Sequence, residues 1–110
     1  MDKELIEKII KFRDDRNWSQ FHNPKDLAIS ISLEAAELLE LFQWNNSQET
    51  MENNYQELQD ELADILIYCT LMADKLDIDL DEAVKSKLEK NEQKYPVEKS
   101  YNSKEKYDQL

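Results

Sequence analysis

Two pairs of acidic residues lie inside apolar stretches that have helical periodicity. Glu34 and Glu37 are surrounded by leucine and alanine, and Glu61 and Asp64 by leucine, alanine and isoleucine. Residues spaced i, i+3 lie on one face of a helix, less than one turn apart. Carboxylates left unpaired among buried apolar side chains would cost free energy or would take up protons. A bound cation would remove both penalties.

The chain itself offers no cation near these acids. From Asp26 to Asp74 there are eleven acidic residues and no Lys or Arg. Because no basic side chain of this stretch can neutralise the two pairs, the sequence predicts a bound divalent metal. The alternative is that the pairs are ordinary acids on solvated helix faces, since this spacing is common there.

The types of the candidate ligands restrict the choice of metal. Oxygen ligands without Cys or His favour Mg²⁺, with Mn²⁺ as an option, over zinc. Helical di-iron sites require a Glu-x-x-His motif on two helices, and the only histidine, His22, lies in a predicted loop. Without glycine the chain also has no EF-hand loop for calcium.

The composition narrows the fold class. The chain of 110 residues has no Gly and two Pro, which excludes Gly-rich phosphate loops and dinucleotide-binding turns. A charged fraction of 35% combined with helical spacing of apolar residues predicts an all-α protein. The net charge of −11 disfavours binding to nucleic acid or to anionic membranes. A single cysteine, Cys69, and the absence of a long apolar run fit a cytoplasmic protein.

The apolar periodicity and the turn residues predict four helices and a tail. The helices are expected at about 3–17, 24–44, from between 47 and 54 to about 76, and from a cap at Asp79 to Tyr95 and Pro96. We expect one domain over residues 1–96 and a loosely ordered polar tail over 97–110. The second and third helices are apolar around much of their circumference, which predicts a homo-oligomer, dimer or tetramer, with a compact monomer as the alternative.

Aromatic and polar residues near the acids are candidates for ligand binding. Trp18, Phe21 and Trp44 flank the first acidic helix, and Tyr68 lies one helical turn after Asp64. Core or interface packing is the alternative for the aromatic side chains. In the last helix, spacing i, i+4, i+7 puts three polar residues on one face, which is either a binding face or simply solvated: Lys87, Asn91 and Lys94.

The order and spacing of these motifs resemble a known family. Glu34-x-x-Glu37, followed after twenty-three residues by Glu61-x-x-Asp64, resembles the signature of the all-α MazG-like nucleotide pyrophosphohydrolases. Further segments resemble the dCTP pyrophosphatase branch in order and spacing, namely 16–22, 37–44, 64–68 and 91–96. The resemblance covers about residues 5–100. One position departs from the eukaryotic members, because Ile9 stands where they have a substrate-contacting His.

The resemblance implies a function and a set of site residues. It implies a four-helix MazG-like bundle that uses Mg²⁺ to hydrolyse a nucleoside triphosphate to the monophosphate and pyrophosphate, with a preference for dCTP or modified dCTP. The implied catalytic and metal ligands are the four paired acids, one of which, or Glu40, would accept a proton from water. The implied substrate contacts are Trp18, Ser19, Gln20, Phe21, His22, Trp44, Tyr68, Lys87 and Asn91. Other triphosphates as substrates, or a catalytically silent helical interaction module, remain alternatives.

Overall fold

The computed structural model describes all residues, Met1–Leu110, and contains helices and turns but no strand. The all-α prediction is confirmed. Six α-helices follow one another along the chain: α1 (Lys3–Asp15), α2 (Pro24–Glu40), α3 (Ser47–Asn53), α4 (Tyr55–Leu76), α5 (Leu80–Lys94) and α6 (Val97–Ser100). Two 3₁₀ helices, Trp18–Phe21 and Tyr107–Gln109, complete the secondary structure. No helix is both long enough and apolar enough to span a bilayer.

The predicted helix starts are confirmed by side-chain caps. The Asn23 side-chain oxygen accepts a hydrogen bond from the Asp26 backbone N–H at 2.8 Å, and Pro24 occupies the first helical position. Asp79 caps α5 in the same way, accepting from the backbone N–H of Glu82 at 3.2 Å. Each cap satisfies one of the backbone donors that a helix N-terminus leaves free.

The segment between α2 and α4 differs from the prediction. Helix α2 ends at Glu40 instead of continuing to about Trp44, whose left-handed φ of 68° is incompatible with a continuing helix. The fully buried Thr50 hydroxyl donates to the Leu41 carbonyl oxygen at 3.1 Å and so satisfies the backbone just past the end of α2. The predicted third helix is divided at Asn54 into the short α3 and the long α4.

The chain forms two compact units, Met1–Ile78 and Asp79–Leu110. In the first unit, α2 and α4 pack along each other as the main helix pair, with α1 and α3 also against α4. Its buried apolar residues are few: Leu27, Leu71 and Ala73. Several large leucines of α2 and α4 are instead exposed on the surface of the protomer, including Leu33, Leu39, Leu62 and Leu66.

The second unit contains the C-terminal segment. The rings of Tyr95 and Tyr107 pack edge to face with centroids 6.2 Å apart, and the Lys94 ammonium lies 4.9 Å from the Tyr107 centroid. Residues 97–110 contain the short helix α6 and the Tyr107–Gln109 3₁₀ helix. The division into a domain over 1–96 and a tail stays a prediction.

Candidate active site

Three of the four predicted acidic ligands converge between α2 and α4. One carboxylate oxygen from each of Glu34, Glu61 and Asp64 lies within 4.8 Å of the others. Two of these residues are one turn apart on α4, and the third comes from the facing helix α2. Because α2 and α4 form the main helix pair of this unit, their packing fixes the separation of the carboxylates.

The cluster contains polar atoms that the protein does not satisfy. Oε2 of Glu34 and Oε2 of Glu61 are buried and have no hydrogen-bond partner. Buried carboxylate oxygens are normally hydrogen-bonded or bound to a cation. Mg²⁺ and Mn²⁺ prefer oxygen ligands such as these three converging carboxylates. Two of the carboxylates each have a buried oxygen that no hydrogen bond occupies. The residues present therefore fit a divalent metal.

Mutual repulsion and burial change the protonation of the cluster. Burial, together with the adjacent carboxyl groups of Glu61 and Glu37, raises the pKa of Glu34 from 4.5 to about 7. Hydrogen bonding to Glu34 lowers the pKa of Glu61, but burial and the neighbouring Glu37 and Asp64 outweigh it and leave that pKa raised. Without a cation, the Glu34 and Glu61 pair therefore binds a proton more tightly than separate carboxyl groups would.

The remaining acids of α2 have different positions. Glu37 is exposed and is not one of the three converging ligands, although it is close enough to raise the pKa of both Glu34 and Glu61. Glu40 borders a separate groove of about 440 Å³ together with Leu39, Phe42 and other residues of this segment. The structure therefore brings Glu37 beside the cluster and leaves Glu40 outside it.

A cavity of about 320 Å³ lies between α1, the Trp18–Phe21 helix and α4. Asp64 is part of its lining, so the cavity and the acidic cluster share a residue. Three of the predicted substrate-binding residues, Trp18, His22 and Tyr68, line it as well. The other lining residues are Lys8, Ile9, Phe12, Arg13, Ile67 and Leu71. The cavity is largely apolar, has aromatic rings in its wall and adjoins the carboxylate cluster. Its aromatic part has the character of a nucleobase site, and the adjoining cluster could hold phosphates through a metal.

Two consecutive residues near the end of α4 bond to the other two elements that line the cavity, α1 and the Trp18–Phe21 helix. Asp74 accepts a hydrogen bond from Nη1 of the buried Arg13 at 2.7 Å, which joins α4 to α1. Lys75 donates from Nζ to the Ser19 hydroxyl at 2.7 Å, which joins α4 to the Trp18–Phe21 helix. Both walls are thus tied to one turn of α4.

The aromatic side of the cavity is packed against α1. The rings of Phe12 and Trp18 meet edge to face with centroids 5.7 Å apart. The Arg16 guanidinium lies 3.7 Å from the Phe12 ring centroid and 5.9 Å from the Trp18 ring centroid. These contacts restrict the orientation of Trp18 before any ligand binds.

His22 lines the cavity with an unsatisfied nitrogen. Its Nδ1 is buried and has no hydrogen-bond partner. Burial lowers the pKa of His22, and the positive charges of Arg13 and Lys75 lower it further. The imidazole is therefore neutral at physiological pH and has both a donor and an acceptor for a ligand.

Other predicted substrate contacts are not part of this cavity. Ser19 is bonded to Lys75, and the Gln20 amide donates to the Asn17 carbonyl oxygen at 3.1 Å. Phe21 is 65% exposed and Trp44 is 91% exposed, and neither lines the cavity. The interpretation of these four residues as substrate contacts stays a prediction.

Lys87 and Asn91 lie one turn apart on α5, in the second unit. Lys87 is exposed and Asn91 is half-buried. Their spacing places them on one helix face, as the sequence predicted. A contact of either side chain with a nucleotide stays a prediction.

The sequence-based interpretation missed several lining residues of α1, above all Lys8 and Arg13. A signal for Arg13 was present, because it follows Ile9 by four residues and so shares the inward face of α1. A charged residue of an amphipathic helix is ordinarily expected on the solvent-exposed face. The partner of Arg13 is Asp74, which is sixty-one residues away in the sequence.

Comparison with known sequences places the chain in a family. A sequence model of the MazG-like family matches residues 29–110, a segment that includes both acidic pairs. The chain is a member of the MazG-like family. A solved structure agrees with this assignment: the MazG-like chain is 49% identical to a pyrophosphatase from Archaeoglobus fulgidus, with a TM-score of 0.81 over 86% of this chain and 91% of that one.

Curated relatives of this MazG-like chain are dCTP pyrophosphatases. It is 41% identical to dCTP pyrophosphatase 1 of Rattus norvegicus and 37% identical to dCTP pyrophosphatase 1 of Homo sapiens, each over 105 residues. Each alignment covers 91% of this chain and 62% of the relative. The MazG-like chain therefore spans less than two thirds of the length of these relatives.

Proposed function

We propose that this protein is a metal-dependent nucleoside triphosphate pyrophosphohydrolase, which converts a (deoxy)nucleoside triphosphate and water to the monophosphate and pyrophosphate. The observation on which this depends is the convergence of Glu34, Glu61 and Asp64 at one end of a cavity lined by aromatic rings. Relatives named as pyrophosphatases support the same reaction. The product distinguishes this reaction from removal of a single phosphate.

Mg²⁺ is the proposed cofactor, and Mn²⁺ is an acceptable substitute. Glu34, Glu61 and Asp64 would hold it, and Glu37 is placed to join them or to bind through water. When bound, the metal would neutralise phosphate oxygens and lower the pKa of a water molecule. One of the four carboxylates would act as the general base, since Glu40 lies outside the cluster.

The side chains of the protein have distinct tasks in this proposal. The carboxylate of Glu34 must lose its proton when the cation binds, since a protonated carboxyl is a poor ligand. Trp18 and Tyr68 provide faces for the nucleobase, and the apolar lining excludes water from it. The unsatisfied Nδ1 of His22 is free to bond the base or the sugar.

The nucleobase is the part of the substrate that the family assignment leaves open. dCTP, or a modified form of it, is the first candidate because the curated relatives are named for dCTP. Other canonical or damaged triphosphates are the alternative, and Ile9 supports it. Ile9 lines the cavity, and the resemblance implies that it replaces a substrate-contacting His of the eukaryotic branch. In either case the biological role would be sanitation of the nucleotide pool in the cytoplasm.

A homo-oligomer, dimer or tetramer, is part of the proposal. The exposed leucines of α2 and α4 support it, because a second copy of the chain would remove their apolar side chains from water. Trp44, at 91% exposure, lies just past the end of α2. Trp44, Lys87 and Asn91 stay proposed contacts of the nucleotide.

The test is a panel of triphosphates incubated with Mg²⁺, in which pyrophosphate and orthophosphate are measured separately. We expect equimolar monophosphate and pyrophosphate from at least one triphosphate, and no product when the metal is chelated. The Glu61→Gln variant should lose this activity, while Asp60→Asn, an exposed neighbour on α4, should keep it. Orthophosphate as the sole inorganic product would reject the proposal.

A further inference from the structure

Lys8 is a cation of the cavity wall that has no partner in the protein. It lies on α1 one turn before Phe12, and both side chains line the cavity that Asp64 also lines. Lys8 is exposed and takes part in no hydrogen bond or ion pair. Its charge is therefore available to a ligand of the cavity.

The absence of an ion pair at Lys8 contrasts with the rest of α1. Glu4 precedes Lys8 by four residues, which is the spacing and order that favour an ion pair on a helix surface. The two side chains nevertheless do not pair. Lys11 and Asp15 have the same spacing in the less favourable order, and they pair at 2.6 Å. The side chain of Lys8 thus lines the cavity and leaves its nearest acidic partner on the helix unused.

No other basic group of the cavity wall is available in this way. Arg13, the second cation of the wall, donates from Nε to Asp14 at 2.8 Å and from Nη1 to Asp74 at 2.7 Å. His22 has a lowered pKa because of burial and is neutral. Between Asp26 and Asp74 the chain has no Lys or Arg. Lys8 is consequently the one unpaired cation of this cavity.

A triphosphate in this cavity would need positive charge from the protein. The chain has a net charge of −11, and the three converging carboxylates of the cluster already offset a divalent cation. The phosphates add about one negative charge for each inner group and roughly two for the terminal group. Lysine binds phosphate as a point charge on a flexible four-carbon stem. The unpaired ammonium of Lys8 matches this requirement.

We propose that Lys8 is a substrate-binding residue whose ammonium forms an ion pair with phosphate oxygens of the triphosphate beside the carboxylate cluster. This inference rests on the proposed function and deepens it by naming a phosphate contact on α1. The contact does not depend on the nucleobase, so it applies to dCTP and to the alternative substrates alike.

Kinetics with Mg²⁺ and the best triphosphate of the panel test the proposal. Lys8→Met should raise KM by on the order of tenfold, which is the loss expected for one charge-assisted contact, and should change kcat little. Lys8→Arg should recover most of the affinity because it keeps the charge. Lys11→Met is the matched control, since it removes an exposed α1 cation that is paired with Asp15, and its KM should equal that of the wild type.

The salt dependence of KM separates a charge contact from a structural role. Salt screens interactions between exposed charges, so the KM of the wild type should rise with NaCl concentration. The rise should be smaller in Lys8→Met and unchanged in Lys11→Met. A KM that is the same in Lys8→Met and the wild type at low salt would contradict the proposal.

A binding measurement needs no turnover. In calorimetry with Mg²⁺ and inorganic tripolyphosphate, Lys8→Met should bind on the order of tenfold more weakly than the wild type. Its affinity for deoxycytidine, which has no phosphate, should equal that of the wild type in tryptophan fluorescence titrations. Should no triphosphate release pyrophosphate, the proposed function fails, and a tripolyphosphate affinity that requires Lys8 would still support this inference. Failure of the wild type to bind tripolyphosphate, or an affinity that Lys8→Met leaves unchanged, would overturn it.

Discussion

Glu34 on α2 and Glu61 on α4 are close neighbours across the helix pair, and each has one buried carboxylate oxygen without a hydrogen-bond partner. Like charges at this distance are tolerated only if a proton or a cation lies between them. Burial and the neighbouring carboxyl groups raise the pKa of Glu34 to about 7, so we expect a proton to take the place of the cation in the metal-free protein. Metal binding and protonation therefore compete for the same pair of side chains.

Removing one carboxylate from this pair should abolish metal binding without unfolding the protein. We expect Glu34→Gln to show no Mg²⁺ binding in calorimetry. Its rate of pyrophosphate release should fall by on the order of 100-fold or more, since loss of residues that only support metal ligands already costs about 10- to 100-fold. Its thermal midpoint without metal should be equal to or above that of the wild type, because a repulsion is removed. Asp60→Asn is the control, since Asp60 is bonded only to Gln56 on the outer side of α4. Unchanged Mg²⁺ affinity in Glu34→Gln would contradict the assignment of this ligand.

The stability of the metal-free protein should fall as the pH rises from about 4.5 to about 7. The folded state keeps a proton on Glu34 in this interval, whereas the unfolded state, with an ordinary pKa, has lost it. Where the folded state binds more protons, the free energy of unfolding decreases with pH. The raised pKa of Glu61 acts in the same direction.

Thermal melts in a chelator at several pH values measure this effect. The midpoint should be a few degrees lower at pH 7.5 than at pH 5.5, on the order expected for one perturbed group. Saturating Mg²⁺ should remove the difference, and Glu34→Gln should reduce it. A midpoint that rises with pH over this range in the absence of metal would show that the pair is not protonated.

Trp18 should be responsible for most of the affinity for the nucleobase. Stacking on an aromatic side chain contributes about 1–3 kcal/mol per base, so Trp18→Leu should raise KM roughly tenfold and change kcat little. Trp18→Phe should recover most of the loss, because it retains a ring against Phe12. Tyr55→Leu, which removes an exposed ring at the start of α4, is the control. An equal loss in kcat and kcat/KM for Trp18→Leu would indicate a role other than base binding.

The exposed leucines predict that the protein associates. Sedimentation should give a mass of at least twice the 13.1 kDa of one chain. Leu39 is 70% exposed on α2, and Leu39→Asp should shift the protein toward the monomer because it places a charge in an apolar interface. Val97→Asp, at a similarly exposed site on α6, is the control. A monomer at micromolar concentration in the wild type would show that this surface is not covered by a second copy.

The acidic cluster could be predicted because its determinants are local. The spacing of Glu61 and Asp64 fixes their common face on any helix, and the apolar neighbours indicate which side is inward. Helix starts were equally readable, since Asn23 and Asp79 cap their helices through backbone N–H groups three residues ahead. Such patterns do not depend on how the helices are arranged.

The remaining features depend on contacts between distant parts of the chain. The bond between Arg13 and Asp74 joins positions sixty-one residues apart, and no local pattern predicts that pairing. The early end of α2 depends on Thr50, whose hydroxyl satisfies the Leu41 carbonyl from the following helix. Tertiary hydrogen bonds of this kind decide where helices end and which charged residues are buried.

The attachment of α1 and the Trp18–Phe21 helix through Asp74 and Lys75 has a dynamic consequence. Both residues lie in the last turn of α4, which ends at Leu76, and helix ends are where local opening costs least. Fraying of that one turn would break both of these bonds together. Backbone amides of all three segments should then exchange with deuterium as one cooperative set, and a bound nucleotide should slow them by a common factor.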